Sequence, residues 1–405
     1  KRLTVWLPVI IAASIALGIF IGNHYLSISQ GKKRSYSSGN KINAILDIID
    51  EQYVDTVSMS KLVESTIPKI FSELDPHSVY IPAEDASVVN EELEGSFSGI
   101  GVSFNMQTDT ILVISVISGG PAEKAGLLPF DRIISINDSI FSGKKKNQGE
   151  IMKTLRGAKN STVKLGVQRG NSPELLYFDV TRGDVPVNSV DVSYEAAKGI
   201  GYIKVSKFAR NTYNEFITAI AKLKQAGCTS FVIDLRGNTG GYMDAAINMI
   251  NEFMPEGRLI VYTEGKSFPR SDVYANGTGT CKDAPIVVLT DEISASASEI
   301  FSGAIQDNDR GTIIGRRTYG KGLVQTQMSL SDGSEMRLTI ARYYTPSGRC
   351  IQKKYEMGNT DAYDQDIYNR YMHGEFDSAD SIKMDDSLKY QTVGGRTVYG
   401  GGGIM

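Results

Sequence analysis

Hydrophobic and polar positions change their period several times along the chain, and the first stretch is the most apolar. Residues 3–23 contain no charged side chain. About twenty apolar residues are enough for one helix to cross a membrane. The pattern therefore predicts a transmembrane anchor at residues 3–23, followed by a linker at residues 24–40 whose second half is rich in Ser, Gly and Lys.

A cleaved signal peptide is the alternative interpretation of this apolar run. Its end contains Ile21, Asn23, His24 and Tyr25, which leave no clear pair of small residues for a signal peptidase. An uncleaved anchor is therefore preferred. The basic residues at positions 32–34 leave the orientation open by the charge rule alone.

Helical periodicity begins after the linker. Apolar residues recur at three- and four-residue intervals between residues 42 and 74, and the sequence LDPHSVYI at residues 74–81 interrupts them. Residues 41–94 are therefore predicted to form an N-terminal helical region.

A module of short strands is predicted at residues 95–183, and it opens with the glycine-rich sequence FSGIGVSF at residues 97–104. Further strand-like runs and one short amphipathic helix follow, at residues 111–116, 163–167 and 175–180 for the strands and 151–155 for the helix. Glycines beside an alternating apolar run can expose several backbone N–H groups at a strand edge, where a peptide carboxylate can bind.

The pattern becomes α/β from residue 184. Strands are predicted at residues 200–205, 231–235, 285–289, 313–315 and 336–344, with helices at residues 213–224 and 245–253 and a third ending near Asp307. One buried strand runs into the sequence DLRGNTGG at residues 234–241. Glycine lets a backbone N–H approach a tetrahedral oxygen with no side chain in the way. A tight strand-to-helix turn is the structural alternative, and the chain has no phosphate-binding GxxxxGK[ST] pattern.

Candidate chemistry concentrates in residues 291–325, which contain the sequences DEISASASE and, further on, TYGKGLVQ. A serine nucleophile needs a base within hydrogen-bond reach, and a neutral lysine can serve. The candidate nucleophiles are Ser294, Ser296 and Ser298. Ser298, directly before Glu299, is typical of a helix cap. Ser296 would then precede a helix whose positive end favours a developing oxyanion.

Composition narrows the classes of function. The net charge is −3 with 22% charged residues, so nothing indicates nucleic-acid binding. The three cysteines show no CxxC spacing, which argues against a disulfide framework or a zinc site. No cofactor or metal is predicted. Only His24, His77 and His373 could supply the base of a Ser-His-Asp triad.

Taken together, the sequences SASASE, QD at residues 306–307, TYGKG and Gln325 resemble the signature of the C-terminal processing peptidases, also called tail-specific proteases. Ser296 and Lys321 keep that family's spacing of 25 positions. The resemblance implies that Ser296 is the nucleophile and Lys321 its base, with Gln325 orienting the lysine. A supporting acid is implied at Asp307, where packing or helix-end hydrogen bonding is the expected role.

The resemblance extends to other stretches. DLRGNTGG is similar to the family's oxyanion loop, which implies that the backbone N–H groups of Gly240, Gly241 and Ala297 bind the oxyanion. The module at residues 95–183 looks like a PDZ domain, with a substrate C-terminus bound by Gly99, Ile100, Gly101 and Val102 and a groove helix at residues 151–155. LDPHSVYI resembles a motif that precedes the PDZ domain, which favours a structural role for His77.

The implied fold is a crotonase-like α/β protease core with ββα units at residues 184–355, together with an inserted-type PDZ domain, a small β-barrel or sandwich with helices. Residues 356–405 are expected to comprise a variable acidic segment and a truncated C-terminal part of the core.

The implied function is that of a membrane-anchored serine endopeptidase that recognises C-terminal tails of protein substrates and forms an acyl-enzyme. Its expected place is a bacterial inner membrane, single-pass, with the catalytic body in the periplasm or extracytoplasmic space. Expected partners are substrates with free C-terminal tails, with a homo-oligomer or an adaptor lipoprotein left open. The alternatives are a catalytically inactive PDZ scaffold or adaptor and an esterase with a histidine triad.

Overall fold

The structure is a computed structural model that describes residues 14–15, 38–107, 110–142 and 148–405. Apart from residues 14–15, the predicted anchor at residues 3–23 lies outside this part of the chain. Among the described residues, no helix combines the length and the apolar character that crossing a membrane requires.

The described residues divide into two units, one up to residue 67 and one from residue 68 to residue 405. Helix α1 (Ser38–Gln52) lies in the first unit, and helix α2 (Met59–Ser72) contains the division. Helical structure in residues 42–74 is thus confirmed, with a break between the two helices. In the second unit, strand β1 (Val79–Ile81) and helix α3 (Ala83–Glu94) follow.

The strand-rich module begins at strand β2 (Ser96–Gly99) and ends at strand β9 (Gly183–Pro186), and these two strands pair antiparallel. Between them lies a sheet in the order β3-β4-β5-β7-β8, with β6 paired to β5. Its strands are β3 (Val102–Gln107), β4 (Thr110–Val116), β5 (Arg132–Ile136), β6 (Ser139–Ile140), β7 (Thr162–Gln168) and β8 (Leu176–Thr181). Helices α4 (Pro121–Ala125) and α5 (Gln148–Leu155) complete the module. Alternate apolar residues of these strands form a core of their own, as the period-two pattern predicts.

The larger core is built on a mainly parallel sheet in the order β10-β11-β12-β15-β16, in which only the β10–β11 pair is antiparallel. Its strands are β10 (Val190–Ala197), β11 (Ile200–Val205), β12 (Ser230–Asp234), β15 (Ile286–Thr290) and β16 (Thr312–Gly315). Helices α6 (Thr212–Gln225), α7 (Met243–Asn251) and α8 (Ala297–Asp307) belong to the same part of the chain. Parallel strands end at one edge of a sheet, so the loops after neighbouring β12 and β15 meet there.

A second sheet of this core has the order β1-β18-β13-β14, with β17 paired to β18. Its remaining strands are β13 (Leu259–Glu264), β14 (Ser271–Tyr274), β17 (Leu323–Ser329) and β18 (Glu335–Tyr344). Gln325 lies on strand β17. The ladder between β17 and β18 shifts its register between Val324 and Gln325.

Residues 356–405 contain more ordered structure than a variable segment suggests. Helices α9 (Thr360–Asp364) and α10 (Asp366–Met372) are followed by 3₁₀ turns at Ala379–Ser381 and Asp386–Leu388 and by the hairpin of β19 (Lys389–Gln391) and β20 (Thr397–Tyr399). The chain then returns to the core, where Ile404 is fully buried. The Ile404 N–H donates to Thr318 Oγ1 at 2.7 Å, and its carbonyl accepts from the Thr318 N–H at 2.9 Å.

Candidate active site

Ser296 occupies the N-terminal end of helix α8. The helix begins at Ala297, so the N-cap residue is Ser296, and the interpretation of Ser298 as the cap is wrong. The backbone of Ser296 has a φ of 55°, a left-handed conformation that costs a non-glycine residue about 1–3 kcal/mol. Such strain is common at functional sites, because surrounding contacts must hold the residue in place.

Exposure separates the three candidate serines. Ser294 and Ser298 are fully buried, and their hydroxyls donate to the carbonyls of Leu235 at 2.8 Å and Asn238 at 2.9 Å. Ser296 is half-buried, and its side-chain oxygen faces the Glu299 N–H in a capping box. Its hydroxyl donates to no acceptor within the described part of the chain, so Ser296 is the serine of this loop whose proton is free to be removed.

The glycine loop after β12 lies directly against Ser296. A Cβ atom placed on Gly240 would come within 2.8 Å of the Ser296 Cβ and 3.0 Å of the Ala297 nitrogen. A Cβ on Gly241 would lie 2.1 Å from the Phe208 carbonyl oxygen. Side chains are thus excluded at both positions, and the two loops bring together the predicted oxyanion residues and the predicted nucleophile.

One of the three predicted oxyanion donors needs correction. The Gly240 N–H already donates to Asn238 Oδ1 at 2.8 Å, so it is not free for an oxyanion. Neither the Gly241 nor the Ala297 N–H has an acceptor among the residues described by the structure. Ala297 is the first residue of α8, where backbone N–H groups have no partner inside the helix. The geometry therefore favours Gly241 and Ala297 as the donor pair.

Lys321 lies in the turn before β17, and its side chain is largely buried. Burial lowers the pKa of Lys321, and the charge of Arg337 lowers it further, while Glu299 and Asp75 oppose the change. A lysine can act as a base only when its amine is neutral, which a lowered pKa favours at moderate pH. The surroundings of Lys321 thus suit the role that its sequence position implies.

Glu299 connects Ser296, in the loop before α8, with residues 318–322, the lysine turn that contains Lys321. The sequence interpretation missed this role. Its Oε2 accepts from the N–H groups of Ser296 and Lys321, both at 2.8 Å. Its Oε1 accepts from the Gly320 N–H at 2.7 Å and the Thr318 hydroxyl at 2.6 Å. The S-x-x-E spacing of Ser296 and Glu299 is the signal that could have located both the helix start and this contact.

The carboxylate of Glu299 is completely buried. Burial raises its pKa to about 7, and the four hydrogen-bond donors around it oppose that rise. Tyr343, also completely buried, adds a second connection between the loops, since its hydroxyl lies within hydrogen-bond distance of the Ser296 carbonyl, at 3.2 Å, and of the Lys321 carbonyl. Together these two side chains hold the backbones of Ser296 and Lys321 close to each other.

The structure does not show Gln325 bonded to Lys321. Its amide donates to Thr339 Oγ1 at 3.2 Å, and that hydroxyl donates to Asp75 Oδ1 at 2.8 Å. Asp75 in turn is one of the charges that act on Lys321. Gln325 therefore reaches the lysine site through intermediate groups, and direct orientation of the amine stays a prediction.

Asp307 lies at the opposite end of α8 from Ser296. It forms a fully buried ion pair with Arg349 at 2.8 Å and accepts from the Ser347 hydroxyl at 2.6 Å. These contacts fit the expected packing or helix-end role and place the carboxylate away from the reacting groups.

His77 makes no hydrogen bond to Ser296 in the described structure. Its Nε2 lies 2.8 Å from the Tyr363 hydroxyl. Burial, together with the nearby charges of Lys321 and Lys353, lowers the pKa of His77 to about 4. His373 lies at the end of α10, with its Nδ1 on the Asn369 carbonyl. This arrangement fits a structural His77, and neither of the two histidines that the structure describes is bonded to Ser296.

A second candidate site lies in the strand-rich module, between β3 and α5. It is a groove of about 220 Å³ lined by Phe97, Ile100, Gly101, Val102, Ser103, Phe104, Met152, Leu155 and Arg156. Strand β3 stands at the edge of its sheet, and the N–H groups of Ile100 and Gly101 have no acceptor among the described residues. Of the predicted carboxylate loop, Gly99 pairs within β2 and β9 and does not line the groove.

Comparisons with known proteins match the two parts of the chain in which these candidate sites lie. The sequence profile of peptidase family S41 matches residues 199–361, and that of the PDZ domain matches residues 98–191. The carboxy-terminal processing protease CtpB of Bacillus subtilis (strain 168) is 35% identical over 318 residues, which cover 78% of this chain and 66% of that protein. A probable CtpA-like serine protease of Staphylococcus aureus (strain N315) is 33% identical over 355 residues, covering 86% and 70%.

Among solved structures, the photosystem II D1 C-terminal processing protease is 28% identical, with a TM-score of 0.43 and coverage of 77% of this chain and 90% of that one. The chain spans about two thirds of the length of the two relatives named above.

Proposed function

The chain belongs to peptidase family S41, the carboxy-terminal processing serine proteases, and from this premise we propose that it cleaves peptide bonds with Ser296 as nucleophile and Lys321 as general base. The observation that supports this most directly is the position of Ser296, whose hydroxyl proton has no acceptor in the described structure, beside the unpaired backbone N–H groups of Gly241 and Ala297. Lys321 is half-buried, its backbone N–H donates to the same Glu299 as that of Ser296, and it supplies the amine.

The proposed reaction proceeds through an ester on Ser296. Neutral Lys321 takes the hydroxyl proton as the Ser296 oxygen attacks the substrate carbonyl. The N–H groups of Gly241 and Ala297 stabilise the negative charge on the former carbonyl oxygen. The protonated amine then donates its proton to the departing nitrogen, and Lys321 activates a water molecule that hydrolyses the ester.

Two other functions make different predictions. A catalytically inactive scaffold would bind tails without cleaving any peptide. An esterase with a histidine triad would lose its activity when His24, His77 and His373 are replaced together. We expect peptide cleavage that survives replacement of all three histidines, apart from a loss of stability at His77, and that depends on Ser296.

We also propose that the groove beside β3 binds the C-terminus of the substrate. A free α-carboxylate can accept charge-assisted hydrogen bonds from the N–H groups of Ile100 and Gly101. The peptide would extend the sheet along β3, and the apolar side chains of Met152 and Leu155 would contact a small or apolar final residue.

Amidation of the substrate C-terminus is expected to slow cleavage by about tenfold or more, because it removes the charge that strengthens these hydrogen bonds. The measurement compares kcat/KM for free-acid and amidated forms of one peptide. A Gly101→Val variant should show the same loss, since Gly101 has a φ of 78° and a Cβ there would lie 3.4 Å from Val185.

Gly170→Val is the matched control for this variant. Gly170 also has a positive φ, 62°, and lies in the same module, but nothing lies within 4 Å of its Cβ position and it does not line the groove. It should carry the same backbone strain and still distinguish the two peptides. Equal rates for the two peptides with the wild-type enzyme would refute tail recognition at this groove.

We further propose that residues 3–23 anchor the protein in a bacterial inner membrane, with the peptidase on the extracytoplasmic side. The support is the length and apolar character of this run. The full chain should remain with membranes after an alkaline wash, and protease added to spheroplasts should digest its body. Recovery of a soluble form that starts soon after residue 23 would instead indicate a signal peptide.

A further inference from the structure

The segment from residue 352 to residue 370 packs against the turn that carries Lys321. The Lys353 N–H donates to the Gly320 carbonyl at 2.9 Å, and the Gly322 N–H donates to Gln352 Oε1 at 2.8 Å. These bonds hold the residues on either side of Lys321.

Arg370, on α10, extends this contact toward the start of the lysine turn. Its side chain is 4% exposed, and it donates to the carbonyls of Thr318, at 3.0 Å, and Arg317. Glu375 pairs with Arg370 at 3.1 Å and with Arg317 at 2.7 Å. A buried guanidinium that satisfies two backbone carbonyls fixes the path of the chain that leads to Lys321.

Tyr363, on α9, contacts Gln352 and His77 through its hydroxyl. Its hydroxyl accepts from Gln352 Nε2 at 3.3 Å, so its own proton is available for His77 Nε2 at 2.8 Å. The Lys353 ammonium lies between two tyrosine rings, 4.0 Å from the centre of the Tyr319 ring and 4.1 Å from that of Tyr363. It also pairs with Asp366 at 3.1 Å.

Gln352 connects Tyr363 to the residues around the base. Its Nε2 donates to the Tyr363 hydroxyl at 3.3 Å, and its Oε1 accepts from the Gly322 N–H at 2.8 Å. The charged groups that act on Lys321 come from three other elements: Glu299 from α8, Asp75 from the turn before β1, and Arg337 from β18.

We propose that Tyr363 and Arg370 are positioning residues for Lys321, so that the segment from residue 352 to residue 370 sets both the place and the basicity of the base. This inference rests on the proposed Ser296–Lys321 chemistry. It assigns a role in the reaction to a part of the chain that follows the lysine turn by more than thirty residues.

The test is the pH dependence of kcat/KM for a Tyr363→Phe variant, with kcat and KM determined separately. We expect kcat to fall about tenfold through misplacement of the base, with KM within about twofold of the wild-type value. Loss of the Gln352–Tyr363 hydrogen bond should loosen the turn and let water reach Lys321, whose burial lowers its pKa, so that this pKa rises. The acidic limb of the profile should therefore move to higher pH by roughly half a unit.

Tyr368→Phe is the matched control, because Tyr368 lies on α10 with 61% of its surface exposed and lines neither site. It should match the wild type in every respect. Arg370→Lys is the second variant, since lysine keeps the charge but loses the planar fork of donors. It should reproduce the fall in kcat and the shifted limb.

Unchanged kcat and an unmoved acidic limb in both variants would overturn the inference, as would a lower melting temperature with an unmoved limb. The Ser296→Ala variant separates this outcome from failure of the proposed function. If Ser296→Ala is inactive while Tyr363→Phe and Arg370→Lys behave as wild type, only the positioning role fails. If Ser296→Ala remains active, the proposed function itself fails.

Discussion

Replacement of Ser296 by alanine is expected to reduce peptide cleavage by about 10⁴-fold, because it removes the oxygen that would form the ester. The fold should survive with a loss of about 1 kcal/mol of unfolding free energy, because alanine removes only the capping contact between the Ser296 side chain and the Glu299 N–H. The measurement is kcat/KM on a peptide substrate, with the melting temperature as a check on folding.

Lys321, the proposed base, is expected to be as essential for cleavage as Ser296. Lys321→Arg should be as inactive as Ser296→Ala, because a guanidinium stays protonated and cannot accept the serine proton. Lys354→Arg is the matched control, since Lys354 is exposed, and it should retain wild-type activity. An active Lys321→Arg enzyme would show that another group serves as base.

The neighbouring serines, Ser294 and Ser298, are the controls for the identity of the nucleophile. Ser294→Ala and Ser298→Ala each remove a buried hydrogen bond to a backbone carbonyl, which should cost about 1–3 kcal/mol of unfolding free energy. Their chemistry should persist, with a smaller loss of rate. An inactive Ser298→Ala with an active Ser296→Ala would contradict the assignment of the nucleophile.

Glu299→Gln should have the largest effect on stability. The carboxylate accepts from three backbone N–H groups and one hydroxyl. Each oxygen of the carboxylate accepts from two of these donors. A glutamine must place its NH₂ group against one of the two pairs of donors, which leaves at least one buried N–H without an acceptor. We expect the unfolding free energy to fall by about 3 kcal/mol and kcat to fall with it, because the Ser296 and Lys321 backbones are no longer tied together.

Denaturant unfolding and peptide cleavage measure both effects in one preparation. Glu292→Gln, seven residues earlier, is the control, because Glu292 pairs with the half-exposed Arg316. The control should change stability by about 1 kcal/mol or less. A Glu299→Gln protein as stable and as active as this control would show that the buried carboxylate does not connect the two loops.

The features that the sequence predicts well are patterns of residues that lie close together in the chain. The short apolar runs FVI at residues 231–233 and IVVL at residues 286–289 identify the buried parallel strands β12 and β15, because both faces of such strands are covered. The small residues around Ser296 and Gly241 have few uses other than a close approach of two backbones. The spacing of serine and lysine identifies a dyad because two unusual local patterns occur together.

Contacts between segments that lie far apart in the sequence could not be predicted from such local patterns. Glu299 was interpreted as part of a cap at Ser298, since its bonds to the lysine turn depend on how α8 and β17 pack. The resemblance implies that Gln325 orients Lys321, yet after the register shift at this point of β17 Gln325 pairs with Thr339, and its amide donates to the Thr339 hydroxyl. Tyr363 and Arg370 carry no local signal, because their partners lie elsewhere in the chain.

The most direct test of the Ser296–Lys321 assignment is the location of the acyl group during turnover. The enzyme is mixed with a peptide ester, quenched in acid within the first turnover and digested for mass spectrometry. The account predicts the added mass of the substrate's acyl part on Ser296, absent in the Ser296→Ala variant. An adduct on Ser294, Ser298 or His77, or cleavage by Ser296→Ala at the wild-type rate, would contradict it.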